Sequence, residues 1–291
     1  MTGARIRQKG ASVTRDIADI VKYNMENVKK SIVQDRRRLH LIDEYRGFWI
    51  VNMIVYHGIW DLVYIFGYQW QWFKSDLAFI WQQWGCWSFV FISGFCWQMS
   101  KHPIKRGLQV SFAGLVITVV TLVFTPEVRV IFGVLTLLGS SMLLMILCDK
   151  LFQICKRSVP CFSLIGAIAS FVLFLFFYPV NDGYLGFVGM EMIKLPRALY
   201  SNLFTTYLGF TEPGFWSTDY FSMLPWFFMY LVGYFTFSFC MKPRCQQKPM
   251  LRILSKSICS PLGWIGRNSL IIYMLHQPVI YGISTLWNFM R

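Results

Sequence analysis

The chain has 291 residues, of which 55% are hydrophobic and 18% are aromatic, while only 14% are charged. This composition is far more apolar than that of a soluble globular domain, so it indicates a membrane protein. The net charge of +14 would favour a nucleic-acid partner in a soluble protein, but no surface of interleaved aromatic and basic residues accompanies it, and we therefore expect no nucleic acid to bind.

Residues 1–37 form a basic N-terminal extension ahead of the first apolar segment. Its apolar residues fall roughly on one helical face, which favours an amphipathic helix in contact with the lipids of the inner leaflet. A basic tail without fixed structure that is attracted to anionic lipid fits the same pattern, and both interpretations stay open. The extension lacks the apolar core of a signal peptide. We expect residues 38–291 to form one transmembrane domain.

A membrane-spanning helix needs about 20 mainly apolar residues. Seven segments meet this description, so the sequence predicts an all-α polytopic bundle of about seven transmembrane helices. The predicted segments are residues 48–66, 78–99, 108–124, 130–148, 161–178, 220–240 and 269–287.

The basic residues are distributed by side of the membrane. If the N-terminus is cytoplasmic, the inner segments hold 23 of the 28 Lys and Arg residues. Positive residues concentrate in cytoplasmic connections, so we expect a cytoplasmic N-terminus and a multi-pass protein of the cell membrane. The eight cysteines include no CxxC pair and no Cys/His cluster with metal-ligand spacing. We therefore expect free thiols and no metal.

Two connections are unusually long. The outer one, residues 180–219, is too long for a simple link and indicates a functional loop, and we expect a short helix within it at about residues 195–208. The inner one, residues 241–267, is basic and contains three prolines, which favours a solvated linker.

The first predicted helix carries a stripe of ionisable residues. His57 and Asp61 are four residues apart and share a helix face. Arg46, eleven residues before His57, lies within about 20° of it around the helix axis and roughly 16 Å closer to the inner surface. An ionisable side chain within an apolar helix is costly unless it is paired or faces a polar cavity, so this stripe marks a candidate functional site.

This stripe suits a reaction whose donor enters from the cytosol with its negative charges held at the surface, and acyl-CoA fits that description. His57 would act as the general base towards an attacking amine or hydroxyl, and Asp61 would orient its ring. Two further interpretations stay open from the residues alone. The pair is equally compatible with a structural contact between helices, and a proton relay in a small-solute transporter would also use such groups.

Polar residues also lie in two later helices. In the seventh, His276, Gln277 and Pro278 place polar groups and an interrupted hydrogen-bond ladder at one depth, which favours a cavity over lipid exposure. In the fourth, small residues such as Gly133 and Gly139 are typical of close helix approach.

Several blocks of the chain together resemble a known family. In order they read LIDEYRGFWIVNMIVYHGIWDL, SFVFISGFCWQMS, VIFGVLTLLGSSMLL, STDYFSMLPWFFMYLVG and WIGRNSLIIYMLHQPV. They resemble the heparan-alpha-glucosaminide N-acetyltransferase catalytic-domain family and cover most of residues 39–281. The resemblance implies an acyltransferase that takes acetyl from cytosolic acetyl-CoA, its co-substrate, and passes it to a sugar or glycoconjugate acceptor on the other side of the membrane.

By this resemblance His57 occupies the polar active-centre position of the first helix. Other residues match later polar blocks of the family or flank Arg46 in its Asp-x-x-Arg-Gly block. We expect Arg46, Asp43, Asn268 and Ser269 on the donor side, and Asp219, His276, Gln277 and Thr136 on the acceptor side. Thr136 stands where relatives often have histidine, which leaves the identity of the acceptor open.

The sequence thus predicts a membrane acyltransferase with acyl-CoA, a sugar acceptor and membrane lipids as partners, and it leaves homo-oligomerisation open. A proton-coupled transporter and a non-catalytic membrane scaffold remain the alternatives. Transport proteins often contain internal repeats with broken helices in both halves, and we find no such repeat here, because Pro278 has no equivalent in the first half.

Overall fold

A computed structural model of the chain describes residues 39–158, 162–241 and 252–290. In these ranges the chain is almost entirely helical and contains one small two-stranded sheet. The helices are α1 His40–Trp60, α2 Asp76–Trp97, α3 Pro103–Phe124, α4 Val134–Ser158, α5 Phe162–Phe177, α6 Leu203–Leu208, α7 Met223–Cys240, α8 Ser260–Arg267 and α9 Ser269–Met290. The strands are β1 Tyr184–Phe187 and β2 Met190–Lys194. The predicted N-terminal helix of residues 1–37 lies outside the described residues.

Six helices of the described chain are long and apolar enough to cross a membrane, which confirms a polytopic helical bundle. They are α1, α3, α4, α5, α7 and α9, with α1 and α5 continuing into the short turns that follow them. The helix α2 has 22 residues but is interrupted by glutamines, tryptophans and serines, and it is not among the six. The number seven therefore stays a prediction.

The centre of the bundle lies where α2, α4, α5 and α7 meet. Tyr230 of α7, Phe174 of α5, Leu137 and Met145 of α4, and Val90 of α2 are fully buried there. In a membrane the hydrophobic effect does not hold helices together, so close packing of such large side chains has to do so. We call the end of the bundle at which α1 begins the inner end, and the opposite end the outer end.

Glycines bring the helix backbones into direct contact. A Cβ atom added to Gly94 of α2 would lie 1.9 Å from the carbonyl oxygen of Tyr230, and one added to Gly233 of α7 would lie 2.0 Å from that of Phe91. The same approach joins α1 to α8, because a Cβ at Gly47 would meet the Leu262 carbonyl oxygen at 1.9 Å. No side chain fits at these crossings.

The inner connection differs from the sequence expectation. Residues 260–267 were expected in a solvated linker, but they form α8, which packs along the inner half of α1. Pro261 lies in the first turn of the helix, where proline is tolerated. Gly266 allows the helix to pack directly against the backbone of Asp43 in α1. Glu44 strengthens the contact by accepting hydrogen bonds from Ser257 at 2.5 Å and from the Ile258 N–H at 3.0 Å.

The long outer connection is folded throughout. It contains a 3-10 turn at Tyr178–Asp182, the hairpin β1–β2, a second 3-10 turn at Arg197–Leu199 and the helix α6. Asn202 and Thr205 form a reciprocal capping box at the start of α6, which satisfies backbone donors that the helix itself leaves free. The expected short helix is therefore present at Leu203–Leu208.

The packing at Gly94 allows a direct test. Gly94→Ala should lower the free energy of unfolding by about 1–3 kcal/mol or more, because the methyl group meets backbone that does not move aside. Gly282→Ala is the matched control, since Gly282 lies in α9 with no atom within 4 Å of the added Cβ, and it should be neutral or stabilising by up to about 1 kcal/mol. Thermal unfolding in detergent measures both. Equal stability of the two variants would contradict this packing.

Candidate active site

The predicted stripe on α1 faces the two C-terminal helices. The guanidinium of Arg46 donates to the Gly266 carbonyl of α8 at 3.4 Å and to the Cys96 sulfur of α2 at 3.1 Å. Farther along α1, His57 faces α9. Because α8 and α9 follow each other directly, one continuous side of α1 contacts both of them.

Two histidines meet between α1 and α9. The ring centroids of His57 and His276 lie 5.0 Å apart with an interplanar angle of 61°. The Nδ1 atom of His276 lies 2.5 Å from the Tyr273 carbonyl oxygen. A carbonyl oxygen only accepts, so in neutral His276 this contact places the proton on Nδ1 and the lone pair on Nε2. That Nε2 atom is buried and has no partner among the described residues.

Next to the histidines, Asp61 is paired with Gln277. Asp61 is fully buried and lies at the start of a π-helical turn, Asp61–Ile65, that continues α1. The Gln277 side-chain amide donates to one of its carboxylate oxygens at 2.8 Å. The sequence predicts that Asp61 orients the His57 ring, but in the structure the carboxylate of Asp61 instead accepts a hydrogen bond from Gln277.

This cluster contains unused acceptor atoms. The second carboxylate oxygen of Asp61 and the amide oxygen of Gln277 are buried without a partner in the described chain. A buried polar atom without a partner costs about 1–3 kcal/mol. With Nε2 of His276, three buried acceptor atoms of this cluster therefore have no partner among the described residues and are free to accept hydrogen bonds from an amine or a hydroxyl.

Tyr273 connects this cluster to Asp219. It lies one helical turn before His276, with the ring centroids 5.2 Å apart, and its hydroxyl donates to Asp219 at 3.2 Å. Asp219 also accepts from the N–H of Val134, the first residue of α4, at 3.2 Å. Burial raises the pKa of Asp219, and these two hydrogen bonds oppose the rise.

A cavity of about 560 Å³ opens at the inner end of the bundle. Its mouth is basic, with five Lys and Arg side chains and one histidine and no acidic residue in its lining. The basic residues are Arg46, Lys101, His102, Lys105, Arg106 and Arg267. Deeper in the bundle the walls become apolar, with Phe89, Ile92, Val110, Leu135, Leu138 and Met142.

Tyr273 also lines this cavity. The same side chain thus contacts the cavity, Asp219 and His276. A molecule that fills the cavity from the basic mouth would reach Tyr273, whose ring contacts that of His276.

The remaining predicted residues are placed as follows. Ser269 lines the cavity, and Asp43 lies 3.9 Å from Arg46. Asn268 instead ends α8 and donates to the Trp264 carbonyl at 3.0 Å, so it shapes the junction with α9. Thr136 packs against Gly114 of α3, two residues after Val134.

The sequence indicated no role for Tyr273 and, among the basic residues of the cavity, singled out only Arg46. For Tyr273 a signal was present, because it precedes His276 by three residues and so shares its helix face. For Lys101, Lys105 and Arg106 the sequence indicated a position on the inner side of the membrane but no shared cavity. Among the described residues no group of three or more His, Cys, Asp or Glu side chains is arranged to hold a metal ion.

The model of the family described as heparan-alpha-glucosaminide N-acetyltransferase, catalytic, matches residues 38–278. This range takes in the inner cavity, the histidine pair and Asp219. Neither a curated protein nor a solved structure matches the chain.

The buried carboxyl of Asp219 predicts a pH-dependent stability. Since its pKa is raised in the folded state, the folded protein holds this proton more tightly than the unfolded chain. Asp219 therefore costs stability as the pH rises from about 4, the unfolded value, through the folded pKa. The melting temperature of Asp219→Asn should rise relative to wild type between pH 5 and pH 8. The exposed Asp182 supplies the control Asp182→Asn, and an equal pH response of both variants would contradict the prediction.

Proposed function

Because the chain belongs to the heparan-alpha-glucosaminide N-acetyltransferase catalytic family, we propose that it transfers an acetyl group from acetyl-CoA to an amine or hydroxyl of a sugar acceptor. Acetyl-CoA enters at the inner end, which faces the cytosol, and the acceptor arrives from the outer side. The observation that carries this proposal is the basic cavity lined by Tyr273, whose ring contacts His276, which in turn contacts His57.

The cavity suits the chemistry of the donor. Coenzyme A carries a diphosphate and a 3′-phosphate at one end and a long, weakly polar pantetheine arm at the other. Arginine and lysine side chains bind phosphate through charge-assisted hydrogen bonds, and six basic residues surround the mouth. The apolar walls beyond them accept the pantetheine arm and direct the thioester towards Tyr273.

At the deep end of this path, His57 acts as the general base. It accepts the proton of the attacking amine or hydroxyl while the nucleophile adds to the thioester carbonyl, and the carbon–sulfur bond then breaks to release coenzyme A. A transient acyl-histidine on His57 is the second form of the same proposal. His276 lies against the His57 ring. Its free Nε2 lone pair accepts a hydrogen bond from the attacking amine or hydroxyl.

The buried oxygens without a partner indicate which groups of the sugar substrate they would bind. Gln277 and Asp61 present oxygens without a partner, and these accept hydrogen bonds from N–H or O–H groups of a sugar. Asp219 lies where the outer connection meets α4, so it contributes to the acceptor side. Thr136 faces α3 rather than offering the imidazole of many relatives, and the acceptor therefore differs in its contacts at this position.

The orientation follows from the charges. Inner segments hold 23 of the 28 Lys and Arg residues, which supports a cytoplasmic N-terminus and insertion in the cell membrane. The basic mouth of the cavity then opens to the compartment that contains acetyl-CoA.

Transfer of labelled acetyl from acetyl-CoA tests the reaction. Purified protein in lipid vesicles is incubated with labelled acetyl-CoA and with glucosamine, N-acetylglucosamine or glucose as acceptors. His57→Ala should lower turnover by about 10²–10⁴-fold, the usual contribution of a general base, while coenzyme A binding stays intact. His40→Ala, at the start of the same helix, is the control. Undiminished transfer by His57→Ala would overturn the assignment.

The basic mouth predicts a separate defect in donor binding. Arg106→Ala should raise the KM for acetyl-CoA about tenfold or more, because a charge-assisted hydrogen bond contributes about 1.5–3 kcal/mol, and should leave kcat nearly unchanged. Lys150→Ala is matched in charge and lies exposed on α4 outside the cavity. Steady-state kinetics at several salt concentrations separate the two, and the same KM for both variants would contradict the proposed donor site.

A further inference from the structure

The hairpin β1–β2 at the outer end exposes an unusual amount of apolar surface. Val188, at its turn, is 76% exposed, and Met190 and Met192 of β2 are 60% and 59% exposed. The turn is tight, since Gly189 has a φ of +80°, a conformation that glycine adopts without strain. Hairpin tips that face water normally carry polar residues, and an exposed apolar edge promotes aggregation.

The hairpin folds back towards the membrane. The chain leaves α5 at Phe177, passes through the turn Tyr178–Asp182, and then reverses so that the ring of Phe187 contacts that of Phe176 with centroids 6.2 Å apart. Phe176 is the last residue but one of α5. The tip of the hairpin therefore lies level with about the last turn of this helix and not above it.

The apolar tip continues a surface that faces lipid. α5 belongs to one of the six segments that are long and apolar enough to span a membrane. Its exposed side chains include Ile165, Ile168 and Val172, which are 54%, 58% and 49% exposed. The contact between Phe176 and Phe187 joins this surface to the hairpin.

All five residues of β2 are exposed, and the pairing with β1 is irregular between Leu185 and Gly186. Met190 and Met192 flank Glu191 in this strand, so acyl chains can cover the methionines while the carboxylate of Glu191 extends to headgroups or water.

From these observations we infer that the tip of the β1–β2 hairpin inserts into the outer leaflet, where lipid acyl chains cover Val188, Met190 and Met192. This inference concerns the outer connection and does not depend on the proposed transfer reaction. The hairpin would hold the start of the segment that leads to Asp219 against the membrane. A second copy of the chain would bury the same apolar side chains, but continuity with the lipid-facing side of α5 favours lipid.

Fluorescence quenching of the complete protein in vesicles tests this anchor. Val188→Cys and Glu127→Cys are each labelled with an NBD maleimide and reconstituted in phosphatidylcholine with or without a nitroxide group near the headgroup end of the acyl chain. Glu127 is an exposed charged residue in the outer turn between α3 and α4. Labelled wild type supplies the background from the native cysteines.

We expect the nitroxide lipid to quench the label at Val188 at least threefold more strongly than the label at Glu127, and aqueous iodide to show the reverse order. Equal iodide quenching at both positions would place the hairpin in water and overturn the inference. Protection of Val188 from both quenchers would indicate a protein partner and would overturn it as well. Because the assay requires no acetyl transfer, its outcome is independent of whether the proposed reaction is correct.

Discussion

The hydrogen bond between Asp61 and Gln277 fixes how α1 and α9 face each other. In an apolar bundle a carboxyl group is costly unless a polar partner accompanies it, so this pair has few alternatives once the helices pack. With the two helices held in this rotation, His57 and His276 must also meet. The candidate active site is therefore a consequence of satisfying one buried polar group.

The chemical character of the residues at the site changes from the inner end of the bundle towards its middle. Basic side chains surround the inner mouth of the cavity, apolar walls follow, and Tyr273 stands before the histidines. Each zone matches a different part of an acyl-CoA molecule. These residues lie on several helices, including α2, α3, α4 and α9, and the close contact between Gly139 of α4 and Ser111 of α3 brings two of these helices together.

Several buried hydrogen-bond acceptors at this site lack a partner within the described ranges, which lowers the stability of the folded protein. Free oxygens on Asp61 and Gln277 and the Nε2 atom of His276 each lack a partner in the described part of the chain. Such groups are rare in protein interiors because each costs about 1–3 kcal/mol. In the proposed reaction, a sugar that supplied N–H or O–H donors to these atoms would recover this cost when it bound.

The sequence by itself determined the helical membrane architecture, the family and the face shared by Arg46 and His57, because length, hydropathy and helical periodicity are local properties. Only the tertiary structure decided that Asp61 pairs with Gln277, that Tyr273 links the cavity to Asp219, and that residues 260–267 pack on α1 instead of being solvated. These contacts join residues up to about 220 positions apart. Such contacts depend on how helices rotate and cross, which a periodic pattern along one helix does not specify.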